Sequence, residues 1–167
     1  MTSNKFEYTG DGLVIRGGDG DDVIWANKGD NLLFGDAGND RIVGASGDDL
    51  IVGGIGNDRM HGGGGDDVFT FCENWGIDTI EQLAGCSVTL WFLSGDESKW
   101  DEATLTYTDG DNNVKVSGVS AEQVELKFGT GTTPSDAELF AALSDAGAFD
   151  AFTSRKIFEE SGTLASL

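Results

Sequence analysis

Aspartates recur along residues 17–70 at a spacing that suits a series of metal sites. The segment divides into six consecutive nine-residue units: GGDGDDVIW, ANKGDNLLF, GDAGNDRIV, GASGDDLIV, GGIGNDRMH and GGGGDDVFT. The sixth residue is Asp22, Asn31, Asp40, Asp49, Asp58 or Asp67, and the fourth is always glycine. A carboxylate repeated on this period, beside glycine-rich backbone with accessible carbonyls, supplies the hard oxygens that calcium gathers about six to eight at a time.

The eighth residue of each unit is apolar: Ile24, Leu33, Ile42, Ile51, Met60 and Phe69. Apolar residues at that interval fit neither a helical period nor one continuous strand. They fit short strands that each send one side chain inward, joined by turns. The glycine-rich residues ahead of each strand are the turns, because glycine reaches the positive φ values that tight turns use.

The pattern resembles the G-G-x-G-x-D-x-U-x nonapeptide of the RTX (repeats-in-toxin) family, a signature of a parallel β-roll. The resemblance implies an all-β fold in which two units make one turn of a right-handed roll. Turns of odd and even units then lie on opposite edges, with calcium between stacked turns. It also implies the ligands: the carbonyls of positions two and four with the Asp of one unit, and the carbonyls of positions one and three with the Asp two units on. On the odd edge these are Gly18, Gly20 and Asp22 with Gly35, Ala37 and Asp40, then Asp36, Gly38 and Asp40 with Gly53, Ile55 and Asp58. On the even edge they are Ala45, Gly47 and Asp49 with Gly62, Gly64 and Asp67.

Two further sites depart from the pattern. Asn27, Gly29 and Asn31 with Gly44, Ser46 and Asp49 exchanges a carboxylate for an amide and is expected to bind more weakly. ENWGIDTIE (73–81) reads as a degenerate seventh unit after a two-residue insertion, so Gly54, Gly56 and Asp58 would pair with Glu73, Trp75 and Asp78. Asp40 and Asp49 would each serve ions above and below, and the count comes to about three to five Ca2+ ions.

Stacking sets the sixth-position carboxylates about one strand spacing apart, roughly 4.8 Å. Two such charges repel by about 3.5 kcal/mol at an effective dielectric of about 20, and a divalent ion reverses the sign. Magnesium's stricter octahedron suits such a cage less well than calcium.

Residues 1–16 read as an N-terminal cap or degenerate repeat, 17–81 as the roll, 82–132 as flanking β-strands and 133–167 as a short C-terminal helical cap. Positions seven and nine point outward. The odd-unit sheet then shows Val23, Trp25, Arg41, Val43, Arg59 and His61, and the even-unit sheet shows Leu32, Phe34, Leu50, Val52, Val68 and Thr70. The even face is too apolar to face water and requires a cover. VTLWF, ATLTY, VKVSG and VELKF alternate as strands, with TDGDNN as a turn. Amphipathic segments around Leu139, Phe140 and Leu143 and around Phe149, Phe152, Ile157 and Phe158 are the expected cover, with the strands of 87–128 or a parent protein's surface as alternatives. The tail, ending GTLASL, also resembles the uncleaved C-terminal signal of type I secretion.

With 30 acidic and 10 basic residues the formal charge is −20, which disfavours nucleic acid and anionic lipid as partners. No apolar run approaches the roughly 18 residues of a membrane span, and MTSNKFEYTG lacks the regions of a cleaved signal peptide. Cys72 and Cys86 fit either a disulfide or two free thiols.

These features imply a secreted or cell-surface calcium module. It would fold on meeting calcium, aid export through the type I secretion machinery and stabilise a parent toxin, enzyme or adhesin. The alternative is a polysaccharide- or surface-binding module resembling those of alginate epimerases, with only Arg41, Arg59 and His61 as a basic stripe. A catalytic site is not expected, since the chain has a single histidine, His61, and no hydrolase or metalloprotease motif.

Overall fold

The structure, a computed structural model, describes residues 5–7, 14–72 and 74–129. These form a solenoid of two stacked sheets. One sheet contains β1 (Lys5–Glu7), β3 (Val23–Trp25), β5 (Arg41–Ser46), β7 (Arg59–Gly64) and β9 (Ile77–Glu81), all parallel. The other contains β2 (Val14–Asp19), β4 (Leu32–Ala37), β6 (Leu50–Ile55), β8 (Asp67–Phe71), β10 (Val88–Phe92) and β14 (Val124–Phe128), also parallel. The expected parallel β-roll is the fold observed.

Every second unit lands on the same sheet because one strand and one turn consume nine residues. Ile24 therefore pairs in register with Ile42, and Ile42 with Met60. On the facing sheet Ile15, Leu33, Ile51 and Phe69 stack in the same way. These columns meet in one continuous core, and Ile24, Leu33, Ile42, Ile51 and Phe69 have no solvent exposure. Each fully buried side chain of this size stabilises by about 1.5–3 kcal/mol. Ile15, nine residues before Ile24, extends the register upstream of the six clear units.

The strands expected beyond residue 87 extend the sheets at their ends. β10 and β14 continue the second sheet, and β13 (Asn112–Ser117) continues the first, parallel to β9. A hairpin then reverses the chain direction: β12 (Thr106–Asp109) runs antiparallel to β13, and β11 (Trp100–Asp101) antiparallel to β12. Phe71, Trp75, Phe92, Tyr107 and Phe128 pack ring on ring and close this end of the core. A solenoid needs such an end, since each repeat otherwise exposes its neighbour-facing surface.

The apolar outer face of the second sheet is buried, with Leu32 and Leu50 each 1% exposed. Phe34, Val52, Val68 and Leu93 join them, with Val14, Cys72 and Trp91 alongside. The strands of 87–128 do not cover this face, because β10 and β14 lie within the same sheet. The helices expected within 133–167 lie outside the described residues. Among the described residues no helix is long and apolar enough to cross a membrane.

Candidate metal centre

The turns take left-handed backbone at positions two and four. Gly18 and Gly20 have φ of 93° and 118°, and the pattern persists where position two is not glycine, at Asp36 (75°) and Ala45 (87°). This backbone brings position-one carbonyls and sixth-position carboxylates together beneath each turn.

The carboxylates form a ladder in which each has two different environments. Oδ1 accepts the backbone N–H of the equivalent residue one circuit earlier: Asp22 to Asp40 (2.7 Å), Asp40 to Asp58 (2.8 Å) and Asp58 to Asp78 (2.8 Å). On the even edge Asn31 donates to Asp49 (2.8 Å) and Asp49 to Asp67 (2.9 Å). Oδ2 points the other way. In Asp40, Asp49, Asp58 and Asp78 it is buried and accepts no hydrogen bond among the described residues.

A cradle lies beside each of these oxygens. A Cβ added to Gly17 would lie 2.6 Å from Asp22 Oδ2 and 2.7 Å from the Gly35 carbonyl oxygen. Asp40 Oδ2 and the Gly53 carbonyl converge in the same way on Gly35, and Asp49 Oδ2 and the Gly62 carbonyl on Gly44. The position-three carbonyls of Ala37, Ile55, Ser46 and Gly64 each accept an N–H from the preceding circuit, which leaves them a second lone pair.

Burial raises these carboxyls. Asp40 and Asp67 are pushed up to about 6, Asp58 to about 7, and Asp49 and Asp78 to about 8; the backbone N–H bonds oppose the shift without cancelling it. Neighbouring carboxylates add to the rise, Asp22 on Asp40 and Asp40 on Asp58. A dehydrated, stacked row of acids with open oxygens is electrostatically incomplete and calls for protons or a cation.

The profile of the RTX calcium-binding nonapeptide repeat, in four copies, matches residues 8–42 and 34–69. Residues 8–69 are RTX calcium-binding repeats. No curated protein matches the chain.

The open Oδ2 atoms and the cradles fit calcium. Among the described residues no three Asp, Glu, His or Cys side chains converge on one point. Except where Asn31 replaces one of them, the RTX positions between two circuits instead have two carboxylates and otherwise backbone carbonyls, an all-oxygen set that suits calcium rather than zinc.

The two irregular units behave oppositely. The seventh keeps left-handed backbone at Asn74 (60°) and Gly76 (84°), and Asp78 joins the odd ladder despite the insertion, at a sequence separation of 20 rather than 18. In the second unit Asn27 does not take the left-handed φ of its counterparts, and β3 pairs with β5 only through Trp25 before an isolated bridge from Lys28 to Ser46.

The spacing of carboxylates gave no sign of Gln82. Its Nε2 donates to Asp67 Oδ2, and its Oε1 accepts the Gly63 N–H at 3.1 Å. His61 lies on the outer face of β7 beside Arg41 and Arg59, away from both edges. No disulfide joins Cys72 and Cys86, so that alternative is not realised here.

Proposed function

We propose that the chain is a calcium-triggered folding module, secreted or displayed at the cell surface, that supports type I export and the stability of a parent toxin, enzyme or adhesin. Its role is structural, without a catalytic step of its own. The observation that carries this reading is the row of buried Oδ2 atoms in Asp40, Asp49, Asp58 and Asp78 with no hydrogen-bond donor among the described residues. Each unit of pKa displacement is worth about 1.4 kcal/mol, and displacements of several groups together rival the roughly 5–15 kcal/mol stability of a domain. At neutral pH without calcium the roll is therefore poorly supported.

Calcium supplies the missing positive charge. Gly18, Gly20 and Asp22 with Gly35, Ala37 and Asp40 would hold one ion; Asp36, Gly38 and Asp40 with Gly53, Ile55 and Asp58 a second. Gly54, Gly56 and Asp58 with Trp75 and Asp78 would hold a third, and Ala45, Gly47 and Asp49 with Gly62, Gly64 and Asp67 a fourth. At a hundredfold excess over Kd each independent site adds about 2.7 kcal/mol, so four add roughly 11 kcal/mol, enough to decide whether the chain folds. The proposed organisation is a roll over 17–81 preceded by a cap, extended by strands over 82–132 and followed by a capping and export segment over 133–167.

Circular dichroism of the full chain in calcium, in equal magnesium and in chelator tests the reading. A β-rich spectrum in calcium alone is expected. An unchanged spectrum and melting temperature after chelation would overturn it.

A second reading rests on Arg41 and Arg59, adjacent in register on the outer face of the first sheet, with His61 beside them. This stripe suits a short anionic glycan, and loss of glycan retention on Arg59→Ala would support it.

A further inference from the structure

Resting on the calcium reading, the structure also separates the positions between circuits that can take an ion from those that cannot. We propose that the carboxamides of Asn31 and Gln82 stand in for cations at the two ends of the even edge. That edge then takes one calcium ion, between Asp49 and Asp67, while the odd edge takes three.

At the lower end, Asn31 Nδ2 donates to the Gly29 carbonyl at 2.6 Å and to Asp49 Oδ1 at 2.8 Å. Both oxygens are among those the repeat would turn toward an ion. The amide nitrogen bridges them as a metal would, using two N–H bonds in place of charge. Two backbone features of the same unit agree. Position one is Ala26, whose Cβ belongs where Gly17, Gly35 and Gly44 leave room for converging oxygens. Asn27 lacks the left-handed φ that orients the turn elsewhere. Three departures thus fall in one unit, and each removes part of a cation site.

At the upper end the stand-in comes from outside the repeats. Asp67 pairs in register with Val88, so the next circuit brings no carboxylate to this edge. Gln82, 4% exposed, fills the gap. Its Nε2 serves Asp67 Oδ2, its Oε1 takes the Gly63 N–H, and a Cβ on Gly62 would meet both Asp67 Oδ2 and Gln82 Oε1. On the odd edge Asp78 Oδ2 has no such partner among the described residues.

Native mass spectrometry of the full chain in saturating calcium counts the ions, with circular dichroism reporting folding. Asn31→Ala and Gln82→Ala are each expected to leave the wild-type count unchanged. The double change Ala26→Gly with Asn31→Asp restores glycine and carboxylate and is expected to add one ion. Loss of an ion in either alanine variant overturns the assignment at that end, as does a folded double variant with the wild-type count. If the double variant does not fold, the Asn31→Ala count decides alone. A wild-type chain that binds no calcium overturns the calcium reading and this assignment with it, whereas a calcium-binding wild type with an alanine variant one ion short overturns only the assignment.

Discussion

Along the odd edge Asp22, Asp40, Asp58 and Asp78 stack without interruption, whereas on the even edge Asp49 and Asp67 stand between Asn31 and Gln82. The even edge is not short of acid. Its fifth positions carry Asp30, Asp48 and Asp66, where the odd edge has Asp21, Asn39 and Asn57. These outer side chains accept N–H groups from the following circuit, Asp48 to Asp30 and Asp66 to Asp48 at 2.8 Å, and reach solvent. Acid content therefore does not measure metal capacity. What separates the two rows is burial, an oxygen left without a donor and a carbonyl converging on it.

The largest expected effect is removal of calcium, which on the proposed assignment withdraws three ions from one edge and one from the other. Hydrogen exchange during chelation should show amides of the odd ladder, such as Asp40 and Asp58, losing protection before those of Asn31 and Gly63, which the amide-capped ends hold. Simultaneous loss at both edges would erase the distinction.

Single carboxylates come next. Asp40→Ala disables two adjacent positions at about 2.7 kcal/mol each, whereas Asp49→Ala and Asp22→Ala each disable one. The calcium midpoint for folding should rise most for Asp40→Ala, and equal midpoints for all three would remove the bridging role.

Proton dependence is a third test. Asp49 is raised from 3.8 to about 8 and Asp58 to about 7 in the folded chain, so between those limits the native state binds more protons than the unfolded chain. Without calcium, stability should be greatest near pH 4 and fall as pH climbs from about 4 to about 8, by several kcal/mol. With calcium the trend reverses, because deprotonated carboxylates bind the ion. Urea midpoints at both ends of this window, with and without chelator, provide the check.

The smallest effect contrasts Asp36 and Ala45, the non-glycine residues held at positive φ at position two within the six regular units. Ala45→Gly on the even edge relieves a left-handed alanine and should stabilise by about 1 kcal/mol. Asp36→Gly on the odd edge also loses a 2.6 Å ion pair to Arg16, whose guanidinium lies over Phe34, so its net change should be near zero. Thermal melts in calcium distinguish the two.

The roll was legible in sequence because one apolar residue per nine is a period that only a coil of short strands satisfies, and Ile24, Ile42 and Met60 alone nearly define a sheet. The carboxylate ladder was legible for the same reason. The fate of the irregular units was not. Asn31 read as a weaker site and Asp78 as the carboxylate of a degenerate unit, and the two differ in backbone φ at Asn27 and Asn74. Asn occupies both positions, so residue type did not separate them. Ala26 was the available signal, since among the six units of 17–70 a Cβ at position one occurs only in the unit that also lacks its carboxylate. Asp49 read as a bridging residue equal to Asp40, an expectation that the proposed assignment revises. Gln82 follows the last regular unit and carried no periodic mark. Beyond residue 87 alternation located β10, β13 and β14, but residues 103–105 of ATLTY form a turn with the strand starting at Thr106, and the parallel or antiparallel sense of these strands depends on partners distant in the chain.

A circuit of 18 residues, seen in the pairing of Asp22 with Asp40, gives this chain a parity. Duplicating two adjacent units would return every later side chain to its own sheet. Duplicating one would transpose the sheets, carrying Arg59 toward the face where Leu50 and Val52 are buried and carrying apolar side chains to the face where Arg59 now meets water. An unpaired guanidinium buried in this way costs several kcal/mol. The two inserted residues, Phe71 and Cys72, fall at the end of β8 and just beyond it, and leave parity untouched. Genetic lengthening of such an array is therefore conservative in steps of two units and disruptive in steps of one.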